Sequence, residues 1–192
     1  MSEKFIYEST ESEDVEVELY KNKKVRNIFV YDKNKKLHSF DRPAIMSYYE
    51  NGDLKYEKYF FHGKQHRDNN LPGFIEYDKN GNIITLEYYK YGDLHRIDGP
   101  ASISYNSEGE NKVCDFYVEG RFYSQKEFEG KRKLTLYDGY NKKTRDFIID
   151  EKHLENILKK INIEYPISCN ESTYYVSYEE LIRHLDMYLN NK

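Results

Sequence analysis

Between about residues 15 and 118 the chain alternates apolar and polar side chains in short runs, punctuated by Gly, Asn, Asp and Pro. A period of two is the mark of strands, whose successive side chains point to opposite faces. Residues 43–63, PAIMSYYENGDLKYEKYFFHG, carry the pattern most plainly, with two β-favouring runs flanking Asn51-Gly52. Asn-Gly suits a two-residue type I′ turn, which needs positive φ at both central positions. The segment therefore predicts a hairpin pairing Tyr48 with Lys55, Met46 with Glu57 and Ala44 with Tyr59. The same reasoning at Asn80-Gly81 pairs Tyr77 with Ile84, Ile75 with Leu86 and Gly73 with Tyr88. A turn near Glu108-Gly109 puts Ile103 by Cys114 and Ala101 by Phe116.

These hairpins recur in phase. His38, His66 and His95 stand 28 and 29 residues apart, and the series Pro43, Pro72, Pro100, Gly52, Gly81, Gly109 and Gly63, Gly92, Gly120 keep step. A unit of this length cannot bury its apolar face alone, so neighbours must stack. The expected fold is mainly β: an antiparallel meander or solenoid of hairpins in a single-layer sheet, with a small C-terminal α/β cap. Units fall at about 15–37 (degenerate), 38–65, 66–94 and 95–123, giving a hairpin domain over 1–123 and a cap over 124–192. The connections GKQHRDNNLP and GDLHRIDGP read as short polar loops, and each Pro opens a strand, where its missing N–H costs least.

In this register a large ring (Tyr59, Tyr88, Phe116) faces a small residue (Ala44, Gly73, Ala101), as close packing requires. That side, which also takes Phe61, is the predicted core face. The opposite face carries polar Ser47, Lys58, Glu76, Glu87, Ser104 and Asp115, with Ile45, Phe60, Phe74, Tyr89 and Tyr117 as an apolar stripe. Exposed aromatic anchors are the residues enriched at binding hot spots, so the stripe is the candidate partner-binding surface.

From about residue 130 the pattern changes. Lys133–Tyr137 and Arg145–Ile149 flank Asp138-Gly139-Tyr140-Asn141, a predicted hairpin. Asp150 can cap a helix with Leu154, Ile157, Leu158 and Ile161 at helical spacing. Tyr174–Val176 reads as a short strand, and Ser177–Glu180 as a capping box opening a helix with Leu181, Ile182, Leu185 and Leu189 on one side.

Aromatic residues make up 16% of the 192 residues, as 21 Tyr and 10 Phe without Trp, which places this highly charged chain among folded proteins. The net charge of −4 hides an asymmetry. Residues 1–19 hold seven acids against Lys4, whereas residues 131–145 hold six basic residues against Asp138. The basic segment interleaves Tyr140 with Lys131, Arg132, Lys133, Lys142, Lys143 and Arg145, the ingredients of a nucleic-acid contact and the alternative functional reading. Cys114, expected to be a small buried hydrophobe, and Cys169 fit reduced thiols. No signal-peptide-length apolar run opens the chain and no membrane-spanning run follows, so a cytoplasmic protein without membrane insertion is expected.

The phrases LHSFDRPAIMSY (37–48), QHRDNNLPGFIEY (65–77) and LHRIDGPASISY (94–105) resemble the HR-x-D-G-P-A repeats of phage and giant-virus proteins. More distantly, the Gly/aromatic hairpins are similar to membrane occupation and recognition nexus (MORN) repeats and to antitoxin-type bacterial proteins built from them. The resemblance covers about residues 25–123. It implies a non-catalytic scaffold that binds proteins, with a viral role in the host cytoplasm against a host, including a defence, protein. The motif brings no catalytic residues. His-x-x-Asp at His38/Asp41 and His95/Asp98 reads as a loop staple rather than a metal site, since stacked histidines cannot readily share an ion; His62, His153 and His184 find no partner at suitable spacing. No nucleophile motif, P-loop or dinucleotide fingerprint is present. The expectation is a binding module without catalytic residues, metal or cofactor, whose partner is a protein, with nucleic acid and a second copy of the chain as further candidates.

Overall fold

The computed structural model describes residues 4–8, 13–106, 108–138, 143–164, 169–170, 173–174 and 182–187. It divides into two compact units, Met1–Ser124 and Gln125–Lys192.

The first unit is antiparallel β throughout. In chain order its strands are β1 (Lys4–Glu8), β2 (Glu13–Leu19), β3 (Val25–Asp32), β4 (Ile45–Tyr48), β5 (Leu54–Lys58), β6 (Phe60–Phe61), β7 (Lys64–Gln65), β8 (Phe74–Tyr77), β9 (Ile83–Glu87), β10 (Tyr89–Lys90), β11 (Asp93–Leu94), β12 (Ser102–Tyr105), β13 (Asn111–Val118) and β14 (Arg121–Tyr123). Ten of them form one open sheet in the order β1-β2-β3-β4-β5-β8-β9-β12-β13-β14, while β6 with β7 and β10 with β11 make small separate hairpins. The predicted pairs Met46↔Glu57, Ile75↔Leu86 and Ile103↔Cys114 are present.

The turns differ from expectation, and the reason is local. At Asn51-Gly52 the loop has three residues: Gly52 N–H donates to the Tyr49 carbonyl, and Tyr49 N–H to the Asp53 carbonyl. Loops ending at Gly81 and Gly109 close in the same way, with Asp78 and Asn106 in the place of Tyr49. This is the hairpin that ends on a left-handed residue and a bulge. Gly52, Gly81 and Gly109 supply the positive φ, at 106°, 83° and 81°. The bulge moves the next pair by one, so Tyr48 meets Leu54 rather than Lys55, and Tyr77 meets Ile83 rather than Ile84.

Small residues knit the sheet where the prolyl residues open it. Ala44, Gly73 and Ala101 are buried, and each donates to the strand on one side and accepts from the other, as Gly73 does from Tyr59 N–H while donating to the Glu87 carbonyl. Ala44 and Ala101 are buried, as are Val30, Tyr88, Ile103, Phe116 and Val118. Two details depart from the predicted packing. The ring against Gly73 belongs to Tyr89, not Tyr88, whose N–H donates to the Ala101 carbonyl on the other side. Phe61, expected in the core, is exposed because β6 has turned out of the main sheet. The distinction between a core and a solvated face is also weaker than predicted, since every residue of β5 and β8 is half-buried. Phe74, from the predicted polar face, packs against Tyr56 at 6.0 Å under the Lys58 ammonium. Cys114 is half-buried rather than buried.

The second unit contains α1 (Gln125–Glu129), β15 (Arg132–Asp138), β16 (Lys143–Ile149), α2 (Glu151–Glu164), β17 (Cys169–Asn170) and β18 (Thr173–Tyr174), with residues 182–187 helical. Asp150 precedes α2 and its carbonyl accepts Leu154 N–H. Phe147, Ile149, Leu154 and Leu185 form the core, with Ile157 and Ile182 against it. The predicted capping box at 177–180, with Leu181 and Leu189, lies outside the described residues. No described helix is long and apolar enough to cross a membrane.

Gly81 isolates the backbone contribution of these turns, because an added Cβ would meet nothing within 4 Å. Gly81→Ala should therefore lower stability by about 1 kcal/mol through left-handed strain alone, and Gly81→Asn by less. Urea-denaturation midpoints of the two variants check the order.

Candidate functional site

The type I′ turns predicted at Asn-Gly occur elsewhere, between β6 and β7, between β10 and β11, and between β13 and β14. Phe61 pairs with Lys64, Lys90 with Asp93 and Val118 with Arg121, leaving two residues per loop. Both loop residues have positive φ in each case: 46° and 84° at His62-Gly63, 51° and 106° at Tyr91-Gly92, 48° and 74° at Glu119-Gly120. A side chain in that conformation is held there against steric cost.

What holds it is the preceding loop. Gly63, Gly92 and Gly120 donate their N–H groups to the carbonyls of Leu37, Gln65 and Leu94, at 2.8, 2.8 and 3.0 Å. Each acceptor stands just before one of the recurrent histidines. His38 Nδ1 then accepts His62 N–H at 3.2 Å, and His95 Nδ1 accepts Glu119 N–H at 3.0 Å. His66 works differently: its ring stacks on Tyr91 at 4.1 Å, and its Nε2 lies 3.1 Å from Asp68.

The junctions gather rings. His38, only 2% exposed, stacks on His62 at 4.2 Å with the planes 5° apart. Phe40 and Phe61 meet His38 edge-on at 4.5 and 5.2 Å, and Phe61 reaches Tyr91 at 6.4 Å. The cluster emerges at Phe40, Tyr91 and Phe61, which are 78%, 51% and 37% exposed. His62 Nδ1 lies 2.7 Å from buried Asp32. That bond, with backbone N–H groups of Lys36 and Asn34, holds the Asp32 carboxyl down at about 2. Burial, and then the neighbouring His62, hold the His38 imidazole below its ordinary value. With Nδ1 accepting, the His38 proton sits on Nε2, which has no partner among the described residues.

The arginines that follow two of the histidines cover rings. Arg67 lies 3.7 Å from the Tyr59 ring centroid and Arg96 4.0 Å from that of Tyr88, close enough for cation–π attraction. Each also donates to the carbonyl of the loop's prolyl residue, Pro72 or Pro100. In the third loop the predicted His–Asp staple is replaced by an Arg–Asp one: Arg96 Nε donates to Asp98 at 2.8 Å, while His95 Nδ1 is committed to the next turn. Burial, then Glu57, push the Tyr59 phenol up to about 12.

In the first loop Ser39 stands where the others carry arginine, and Val30 takes the place of the ring, its carbonyl accepting His38 N–H as Tyr59 and Tyr88 do for His66 and His95. A cavity of about 280 Å³ lies here, lined by Ser39, Phe40, Asp41, Phe61, Arg67 and Asp68 among others. Among the described residues no group of three or more His, Cys, Asp or Glu is placed to hold a metal ion.

The predicted stripe is gathered in part, with Ile45, Phe74 and Tyr117 on one face. Ile45 and Phe74 both pair with Lys58 and share one face of the sheet. Phe60 lines the cavity, Tyr89 packs on Gly73 and donates to Glu87, and Tyr117 meets Phe122 at 5.4 Å. All five are half-buried. Alternation places Phe61 in the core and does not mark Phe40, Tyr91 or the partnered His62; for His62 and Tyr91 the sequence signal is their place before Gly63 and Gly92, a type I′ position. In the basic segment, Lys133 lies 4.0 Å from the Phe128 ring centroid, and Arg145 makes two bonds to Asp186 at 2.8 and 3.0 Å. Lys131 is half-buried, Arg132 and Lys143 lie in β15 and β16, and Tyr140 and Lys142 are outside the described residues.

The histidine junction should make stability depend on pH. Unfolded His38 titrates near 6.5 and folded His38 lower, so the unfolded chain binds the extra proton and stability is lost as pH falls below 6.5. Asp32 adds a second loss as pH falls from 3.8 toward about 2. Denaturant midpoints measured across pH 4–8 should fall on the acid side, and His38→Asn, which keeps an acceptor, should flatten the upper part of that slope. No family model, curated protein or solved structure matches the chain, so the geometry of these junctions is what speaks to function.

Proposed function

We propose that the chain is a non-catalytic, protein-binding repeat module whose contact surface is the ring cluster Phe40, Phe61 and Tyr91. The observation that carries this reading is the exposure of three large rings that are nevertheless fixed from beneath. Tyr91 is pinned by the His66 stack and by its turn, and Phe40 and Phe61 by the edge of buried His38. Ordering a free side chain at an interface costs about 0.5–1.5 kcal/mol, and rings held in place before binding avoid much of it. Such rings in a rigid frame suit hot-spot anchors for a partner's apolar side chains. In the setting the sequence resemblance implies, the partner is a host protein.

The nucleic-acid reading has less behind it. Arg145 spends its guanidinium on Asp186, and Lys133 sits over Phe128, so these two charges serve their own unit.

A photo-crosslinking amino acid placed at Tyr91 should give a discrete protein adduct in an extract of the source cells. The same group at exposed Ile83 should not. Phe40→Ser should abolish the adduct with the thermal midpoint unchanged, since exposed substitutions usually stay within ±0.5 kcal/mol. Equal adducts at 83 and 91, or none at 91, would count against the surface.

A further inference from the structure

The cavity between the Ser39 loop and the Arg67 loop has a chemistry that its neighbour along the sheet explains. In the third loop, Arg96 sits over Tyr88 and is paired with the Asp98 carboxylate, which also accepts from Asn70 at 2.6 Å. In the second loop, Arg67 sits over Tyr59 in the same way, but Asn70 stands at the position, two before the prolyl residue, that Asp41 and Asp98 hold in the other loops. Arg67 donates to the Pro72 carbonyl and pairs with no carboxylate among the described residues. Arg67 lines the cavity beside Ser39, as do Asp41 and Asp68, whose side chains are exposed to water, Asp68 against the His66 imidazole. Ser39 lines it too, is 9% exposed, and its Oγ has no partner among the described residues.

We infer that this cavity takes a carboxylate joined to an aromatic or aliphatic side chain, as at the C-terminus of a peptide, with Arg67 and Ser39 donating to its oxygens. The carboxylate stands where Asp98 stands in the next loop. Phe40, Phe61 and Leu71 supply the apolar wall for the attached side chain. At about 280 Å³ the cavity is at the small end of ligand pockets, which run roughly 300–1,000 Å³, so it accommodates one residue rather than a long segment. An arginine donates to a carboxylate through two parallel N–H groups, and a buried hydroxyl left unpaired favours a ligand that pairs it. The inference rests on the proposed protein-binding surface, of which the cavity is the polar end, since Phe40 and Phe61 belong to both.

Titration of the isotope-labelled protein with N-acetylphenylalanine, N-acetylphenylalaninamide and benzoate, followed by NMR, tests the assignment. The acetylated acid should shift the Ser39 amide and the Arg67 Nε–H saturably, and the amide should bind at least about tenfold more weakly, because it lacks the charge. Benzoate binding as well as the acetylated acid assigns the site to small aromatic acids; weaker benzoate binding assigns it to a chain terminus. Arg67→Met should remove the preference for acid over amide, and Arg67→Lys, which keeps the charge without the planar fork, should weaken it. Equal affinity for acid and amide, shifts confined to other residues, or an unchanged preference in folded Arg67→Met would overturn the inference. If the acid does not bind while adducts at Tyr91 persist, the carboxylate site falls and the ring surface stands.

Discussion

One hydrogen bond, made three times, organises the first unit: the glycine N–H of each type I′ turn donates to the carbonyl just before a histidine of the preceding loop. Without it the short hairpins β6–β7 and β10–β11 would be two-residue strands in water, far too small to persist alone. With it, each hairpin is anchored to the loop before it, and the histidine ring next in sequence can reach the turn's other residue. The left-handed conformations of His62, Tyr91 and Glu119 are the cost of this arrangement, repaid by the bonds and ring stacks they make possible.

The same constraint shapes where apolar area goes. The sheet's faces are half-buried, and its rings are covered largely by what folds back over them: Arg67 over Tyr59, Arg96 over Tyr88, Lys58 over Tyr56 and Phe74. The charged heads themselves lie over the ring faces, where cation–π attraction holds them. The exception is the first loop, where Ser39 replaces the covering arginine and Val30 the ring. Space opens beside Arg67, and Phe40 and Phe61 border it. The exposed ring cluster and the cavity thus lie together, at a place where the loops stop being alike.

Much of this was written in the chain. Alternation of apolar and polar residues located the hairpins and the pairs Met46↔Glu57, Ile75↔Leu86 and Ile103↔Cys114, because only one register keeps bulky and small residues opposed. The spacing at Leu154 and Ile157 located α2 in the same way. The turn types were harder to read. Asn-Gly satisfies both a two-residue turn and a three-residue turn ending in a bulge, and the sequence around Gly52 does not separate them; His62-Gly63 and Tyr91-Gly92 carry bulky residues where asparagine is the usual cue. Tertiary bonds from Leu37 and Gln65 overrode local preference there. Of the five stripe residues, Ile45, Phe74 and Tyr117 fall on one face, because Ile45, Lys58, Phe74, Glu87, Ser102 and Asp115 pair in turn. Phe60 and Tyr89 instead lie in small hairpins outside the main sheet.

Amide hydrogen exchange at Gly63, Gly92 and Gly120 tests the central claim most directly. All three lie exposed at turn tips, so burial cannot protect them. The interlocking bonds predict exchange as slow as that of the paired amides of β5 and β9. Exchange at the rate of an unstructured peptide would show that the turns are not fastened to the preceding loops, and the account built on them would fail.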